Sequence, residues 1–171
     1  ADPVTVPSDA EPIDNASELI TAMSSGDKTV YKLTADITVT GPVSVSKTVT
    51  LYLNEFDIRS SSTTDGTVFD MTAQARADSA VTLTIYGTGD ISSSVTGGNA
   101  AIDVRAYCTL VLDGGVSIVS DGYGVVAWTN GTVTVNNATI TSDASALGGN
   151  GTNSESTITV NGGTFTSESS A

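Results

Sequence analysis

The chain has 171 residues, with 6 Lys+Arg against 19 Asp+Glu, a formal net charge of −13, no histidine and one cysteine. That balance excludes a nucleic-acid partner, because phosphate contacts need a basic stripe and every Lys and Arg lies at or before Arg105. Without histidine there is no Ser-His-Asp triad, no Cys-His nucleophile and no His-ligated zinc, and the lone cysteine has nothing to pair with in the chain.

Residues 1–12 read as a disordered leader carrying vector or signal-cleavage remnants, and 13–171 as a single domain excised from a longer chain. The 27 Thr and 22 Ser taken alone would fit a low-complexity segment, but the apolar residues, 39% of the total, fall in short, evenly placed clusters. Such clusters predict a folded chain. None approaches the roughly 18 residues of a membrane span, so no membrane insertion is expected. Over residues 14–24, Leu19, Ile20 and Met23 recur at helical spacing, with Asn15 or Ser17 as N-cap and Gly26 as the stop. Short strands follow at 29–33, 37–39 and 43–45, an incomplete first coil.

From there one pattern recurs five times. Val-Thr-Leu-Tyr-Leu, Val-Thr-Leu-Thr-Ile, Cys-Thr-Leu-Val-Leu, Gly-Thr-Val-Thr-Val and Ser-Thr-Ile-Thr-Val begin at positions 49, 81, 108, 131 and 156, so the repeat runs 32, 27, 23 and 25 residues. Each segment alternates apolar and polar, the mark of a strand with one buried face, and each has Thr second. After each comes a glycine or Asn turn and a second short strand; third strands appear at 68–71, 102–104 and 125–128, with Ala146 and Leu147 as a degenerate fourth copy. Three strands per repeat, recurring in register, predict an all-β fold: a right-handed parallel β-helix of about five coils with a short N-terminal capping helix.

The helix string Ala-Ser-Glu-Leu-Ile-Thr-Ala-Met, then Val-Tyr-Lys-Leu-Thr-Ala-Asp-Ile ending at Ile37, Val-Thr-Leu-Tyr-Leu-Asn ending at Asn54, and Val-Asn-Gly-Gly-Thr-Phe ending at Phe165, resemble the β-helix repeat regions of secreted or wall-attached surface proteins of Gram-positive commensal bacteria. Those regions are related to the pectate-lyase-like superfold. The resemblance implies an extracellular or cell-surface setting and little about activity, since that superfold hosts lyases, hydrolases, adhesins and phage spikes alike. It implies a non-enzymatic binding or adhesion module recognising a host protein, immunoglobulins included, or a glycan. A protein ranks first because the repeats form a broad face without a deep-pocket signature. The alternatives are a carbohydrate-active domain and a ligand-free spacer stalk.

The Asn-Thr-Asp, Asp-Asp, His-Gly and Arg-Ile-Lys strings of the superfold's hydrolases are absent, as are calcium-binding glycine-aspartate nonapeptides, and Arg105 is the only base in the later coils. No catalytic residue, metal or cofactor is therefore expected. Asp70 and Asp103 align on the third strand, one coil (about 5 Å) apart, and read as a solvated surface pair or weak cation site. The same alignment puts Thr72, Arg105 and Trp128 in one outward rank with Tyr107 and Tyr123 in adjoining turns. An exposed Trp flanked by Arg and Tyr has the composition of a recognition hot spot, and an aromatic platform also suits a sugar ring; the alternative is a Trp128 that points inward or covers a loop, although it would be large for a narrow coil interior. Trp128, Arg105, Tyr123, Tyr107, Asp103 and Asp70 are thus the candidate ligand-binding residues of a chain expected to be monomeric. Outward Thr on the first strands, with Tyr52 aligned to Thr84, has the look of an ice-binding ladder but is read as ordinary strand chemistry. Cys108 is expected to be buried and inert, and Asn54, Asp113, Asn136 and Asn161 to form structural turn ladders.

Overall fold

A computed structural model describes residues 4–97, 99–150 and 155–168. Strand β1 (Glu11–Ile13) precedes helix α1 (Ala16–Ser24), and five three-stranded coils follow. They are β2 (Val30–Leu33), β3 (Ile37–Val39) and β4 (Val43–Val45); β5 (Val49–Tyr52), β6 (Ile58–Ser60) and β7 (Phe69–Met71); β8 (Val81–Tyr86), β9 (Asp90–Ser93) and β10 (Ala100–Val104); β11 (Cys108–Asp113), β12 (Val116–Ser120) and β13 (Tyr123–Trp128); β14 (Thr132–Val135), β15 (Ala138–Ser142) and β16 (Leu147–Asn150). Two strands of a further coil, β17 (Thr157–Val160) and β18 (Thr164–Ser167), end the described chain. Every strand pairs in parallel with its counterpart one coil away, giving three sheets of seven, six and five strands. The molecule is a parallel β-solenoid of about five turns, and the first coil is complete rather than partial. Ordered structure begins ahead of the boundary expected at residue 13: β1 pairs Glu11 with Tyr31 and Ile13 with Leu33, and Ala10 is buried.

The interior follows from the period of two. In the second sheet Ile37, Ile58, Ile91, Ile118 and Ile140 lie one above the next, continued by Phe165. From Ile58 to Ile140 these isoleucines are 0% exposed, each burying a side chain for about 1.5–3 kcal/mol. Helix α1 covers the first coil with Leu19, Ala22 and Met23. Asn15 caps it, accepting the Glu18 N–H at 3.0 Å, while Glu18 accepts the Asp14 N–H at 3.0 Å. At the other end nothing comparable is found among the described residues. Ile158 and Val160, successors of fully buried Val133 and Val135, are 38% and 50% exposed.

One expected alignment is displaced. Val49 pairs with Leu83, not Val81, so Tyr52 sits over Tyr86, ring centroids 5.4 Å apart, and not beside Thr84. A shift of two residues leaves every inward side chain inward, so the repeated Val-Thr-Leu string does not distinguish the two registers. The turns decide. Asn54 and Glu55, both left-handed, stack on the Gly87 turn through Leu53 N–H to Tyr86 O (2.9 Å) and Glu55 N–H to Thr88 O (2.8 Å). Gly89 is required where it stands: its φ is +146° and a Cβ would lie 2.2 Å from the Phe56 carbonyl oxygen.

Turn ladders extend the stack. Asn161 donates to the Asn136 side chain (2.8 Å), Asn136 to Asp113 (3.3 Å), and Asn54 to the Leu33 carbonyl (3.1 Å), as expected of structural Asn positions. Cys108 is buried, and burial pushes its thiol pKa up to about 11, which disfavours the reactive thiolate. At the start of the second sheet Asp36 accepts the Asp57 N–H and Asp57 the Asp90 N–H, both at 2.9 Å.

Two predictions follow from these contacts. Ile118→Ala should cost about 2–5 kcal/mol, whereas Val160→Ala in the exposed final coil should cost under about 1 kcal/mol, measured by urea unfolding. The Asp90 N–H, followed by the Arg59 guanidinium at 2.8 Å, holds the Asp57 carboxyl below its ordinary 3.8. A lowered folded value adds stability above the pH where the unfolded carboxyl titrates, and that increment is lost as pH falls through the folded value. Wild type should therefore melt above Asp57→Ala at pH 7, and the gap should close below about pH 4.

Candidate functional site

The third sheet brings most of the candidate residues together. Parallel pairing sets Asp70 beside Asp103, Asp103 beside Val126, and Val126 beside Gly148, one outward rank running up the solenoid. The next outward positions along these strands are Thr72, Arg105, Trp128 and Asn150. Two carboxylates one coil apart repel each other, and Arg105 resolves the conflict. Its Nε and one terminal nitrogen donate to both oxygens of Asp70, at 2.8 and 3.3 Å, and that nitrogen lies 3.5 Å from Asp103 Oδ2. In place of a solvated surface pair or a weak cation site, the two carboxylates hold the chain's own arginine.

Trp128 points outward and is half-buried. Its Nε1–H donates to Asp103 Oδ1 at 2.7 Å, and the Arg105 guanidinium lies 4.9 Å from the ring centroid, within cation–π range. Asp103 is consequently not a solvated surface carboxylate: the residue is 7% exposed. Burial pushes its pKa up, against the lowering effects of the Trp128 hydrogen bond and Arg105. The Arg105 guanidinium is itself raised, chiefly by its hydrogen bond to Asp70.

Beside this cluster a recess of about 330 Å³ opens on the outer face of β13 and β16. Tyr123 and Trp128, at the two ends of β13, line it together with Val126 and the bare backbone of Gly148 and Gly149. Asp103, Ser145 and Asn150 supply its polar side chains. Tyr123 opens a strand rather than sitting in a turn. Tyr107 is not brought to the recess: it lies in the turn before β11 with φ +57°, its N–H donating to the Asn130 carbonyl at 3.0 Å. Ser145, Gly148, Gly149 and Asn150 escaped the sequence reading because only Ala146 and Leu147 were recognisable as a third strand. The available signal was the count of four residues from Val125 to Trp128, which carried onto Leu147 sets Asn150 beside Trp128.

Among the described residues no group of three or more His, Cys, Asp or Glu side chains is placed to hold a metal ion, and no helix is long and apolar enough to cross a membrane. No family model, curated protein or solved structure matches the chain. Its class is therefore defined by the fold alone, a parallel β-solenoid.

Trp128 is the only tryptophan and hydrogen-bonds Asp103 directly, so its fluorescence should report that carboxyl. A pH titration should show a transition with its midpoint above the ordinary carboxyl value of 3.8. Arg105→Ala, which removes a lowering cation, should move the midpoint higher, and Asp103→Asn should abolish it.

Proposed function

We propose that this chain is a non-enzymatic, extracellular binding module of a bacterial surface protein, and that it recognises a host macromolecule through the third-sheet face around Trp128. The observation that carries the reading is the recess between Tyr123 and Trp128, in a chain whose aromatic content is only 5%. Aromatic anchors beside buried polar groups are the composition of binding sites. The likeness of the repeats to β-helix regions of Gram-positive surface proteins, within the pectate-lyase-like superfold, supports the exported setting.

An enzymatic role is disfavoured by the state of the two carboxylates. Acid–base work on a glycosidic bond needs one carboxylate free to act as base or nucleophile. Here Asp70 is held on both oxygens by Arg105, and Asp103 accepts from Trp128 while lying against the same guanidinium.

The test is capture. Immobilised wild-type protein is exposed to serum and mucus and, separately, to a glycan array, beside Trp128→Ala checked for folding by circular dichroism. Trp128-dependent retention of a partner, weakened at least about tenfold in the variant, is expected. Binding that a folded Trp128→Ala retains in full would overturn the reading, as would capture of nothing by the wild type.

A further inference from the structure

We infer that the recess beside Trp128 takes an uncharged sugar, one or two pyranose rings bearing hydroxyl or N-acetyl groups, and turns acidic glycans away. The inference rests on the binding-module reading above and names the ligand class of that site.

The first argument is the disposition of charge. Recognition of a carboxylate, sulfate or phosphate needs a cation facing the ligand, best an arginine free to offer its planar fork. The chain has no basic residue after Arg105, and Arg105 does not line the recess. Its guanidinium is committed to both oxygens of Asp70, to Asp103 and to the face of the Trp128 ring. The lining carboxylate is Asp103 instead, and it is nearly buried. A second anion brought beside it would be repelled at short range where water screens poorly.

The second argument is the inventory of polar groups. Sugar hydroxyls both donate and accept, so a site for them offers both functions. The Tyr123 hydroxyl and the Asn150 carboxamide line the recess, and neither side chain has a hydrogen-bond partner among the described residues. Each can donate and accept. Asp103 adds an acceptor already oriented by the Trp128 Nε1–H, and the Ser145 hydroxyl, which donates to the Leu147 carbonyl at 3.3 Å, keeps lone pairs free.

The third argument is shape. A pyranose ring presents an apolar C–H face as well as its hydroxyls, and the indole and phenol rings supply the flat apolar surface that such a face needs. Arg105 lies over the indole from outside the recess, so it acts as a positioning residue that holds the ring for a ligand it does not touch. A volume of about 330 Å³ falls at the small end of ligand sites, which suits a terminal mono- or disaccharide rather than a long segment of polymer.

The deciding experiment uses the whole chain, produced in bacteria so that Asn150, which begins an Asn-Gly-Thr sequon, is unmodified. Probes are matched pairs of oligosaccharides with neutral or N-acetylated termini and the same structures capped with sialic acid or sulfate. Wild type, Trp128→Ala, Tyr123→Ala and Asp103→Asn are compared, each checked for its melting transition. At least about tenfold preference for the uncapped series is expected, with binding weakened at least about tenfold in whichever aromatic variant folds. Asp103→Asn should narrow the preference by admitting the capped sugars. Equal or tighter binding of capped sugars overturns the uncharged-ligand inference while leaving the binding-module reading intact. So does the absence of all glycan binding combined with Trp128-dependent capture of a serum or mucus protein. Absence of binding to any probe or extract overturns both.

Discussion

Parallel pairing of each strand with its equivalent one coil later is the constraint from which the rest of this molecule is built. It fixes the strand spacing at about 4.8 Å and makes each side chain meet its own counterpart. Inside, that produces uniform ranks: isoleucine upon isoleucine at 37, 58, 91, 118 and 140. At the corners it produces ladders in which one turn's side chain satisfies the next turn's backbone, as Asp36 does for Asp57 and Asp57 for Asp90. Stability then accumulates from nearest-neighbour contacts, and the two ends are its weak points. Helix α1 answers the problem at one end; among the described residues strands β17 and β18 are mostly exposed at the other.

The same constraint creates the third-sheet face around Trp128. Stacking equivalents on equivalents is favourable for isoleucine and asparagine but costly for aspartate, because a rank of like charges has no room to spread. Asp70 and Asp103 therefore require a counter-ion within the stack, and Arg105 provides it without leaving its own outward position. Trp128, one coil above Arg105, closes over the pair and takes Asp103 out of water. A charged surface rank becomes a rigid, partly desolvated cluster with an aromatic wall. Beyond Asp103 its own outward rank continues as Val126 and Gly148, small or apolar, and the loss of side-chain bulk there, beside Trp128, leaves the recess.

How much of this was legible in the amino-acid order depends on the range of the interaction. Periodicity of two, Thr recurring second in each strand and the Asn turns are local signals, and they led correctly to the solenoid, to the rank of Thr72, Arg105 and Trp128, and to the adjacency of Asp70 and Asp103. The register of β5 on β8 was not legible, because a two-residue shift preserves the inward pattern and the turn at Asn54 and Glu55 makes the choice. The burial of Asp103 was also hidden. It is imposed by an indole 25 residues further along the chain, and nothing near Asp103 announces it. Tyr107 and Tyr123 looked alike as turn aromatics; only their backbone settings, a left-handed turn for one and a strand start for the other, separate them.

A solenoid divides its labour by side-chain direction, and this gives a rule for reading function on it. Inward positions are fully determined by packing and carry no information about ligands. Outward positions tolerate any polar strand former, and on the first sheet they are mostly threonine: Thr82, Thr109, Thr132 and Thr157 in one rank, Thr50, Thr84, Thr134 and Thr159 in the next with Val111 between. Information lies where that default is broken. It is broken twice by aromatic residues. On the first sheet Tyr52 and Tyr86 stack upon each other, so each ring already has its partner. On the third, Trp128 has one face under Arg105 and its surroundings open into a recess edged with polar groups, of which the Tyr123 hydroxyl and the Asn150 carboxamide have no hydrogen-bond partner among the described residues. The first departure is complete within the chain, while the second leaves hydrogen-bonding capacity and apolar surface unused, which is why the third sheet, and not the seven-stranded first one, is where a ligand is to be sought.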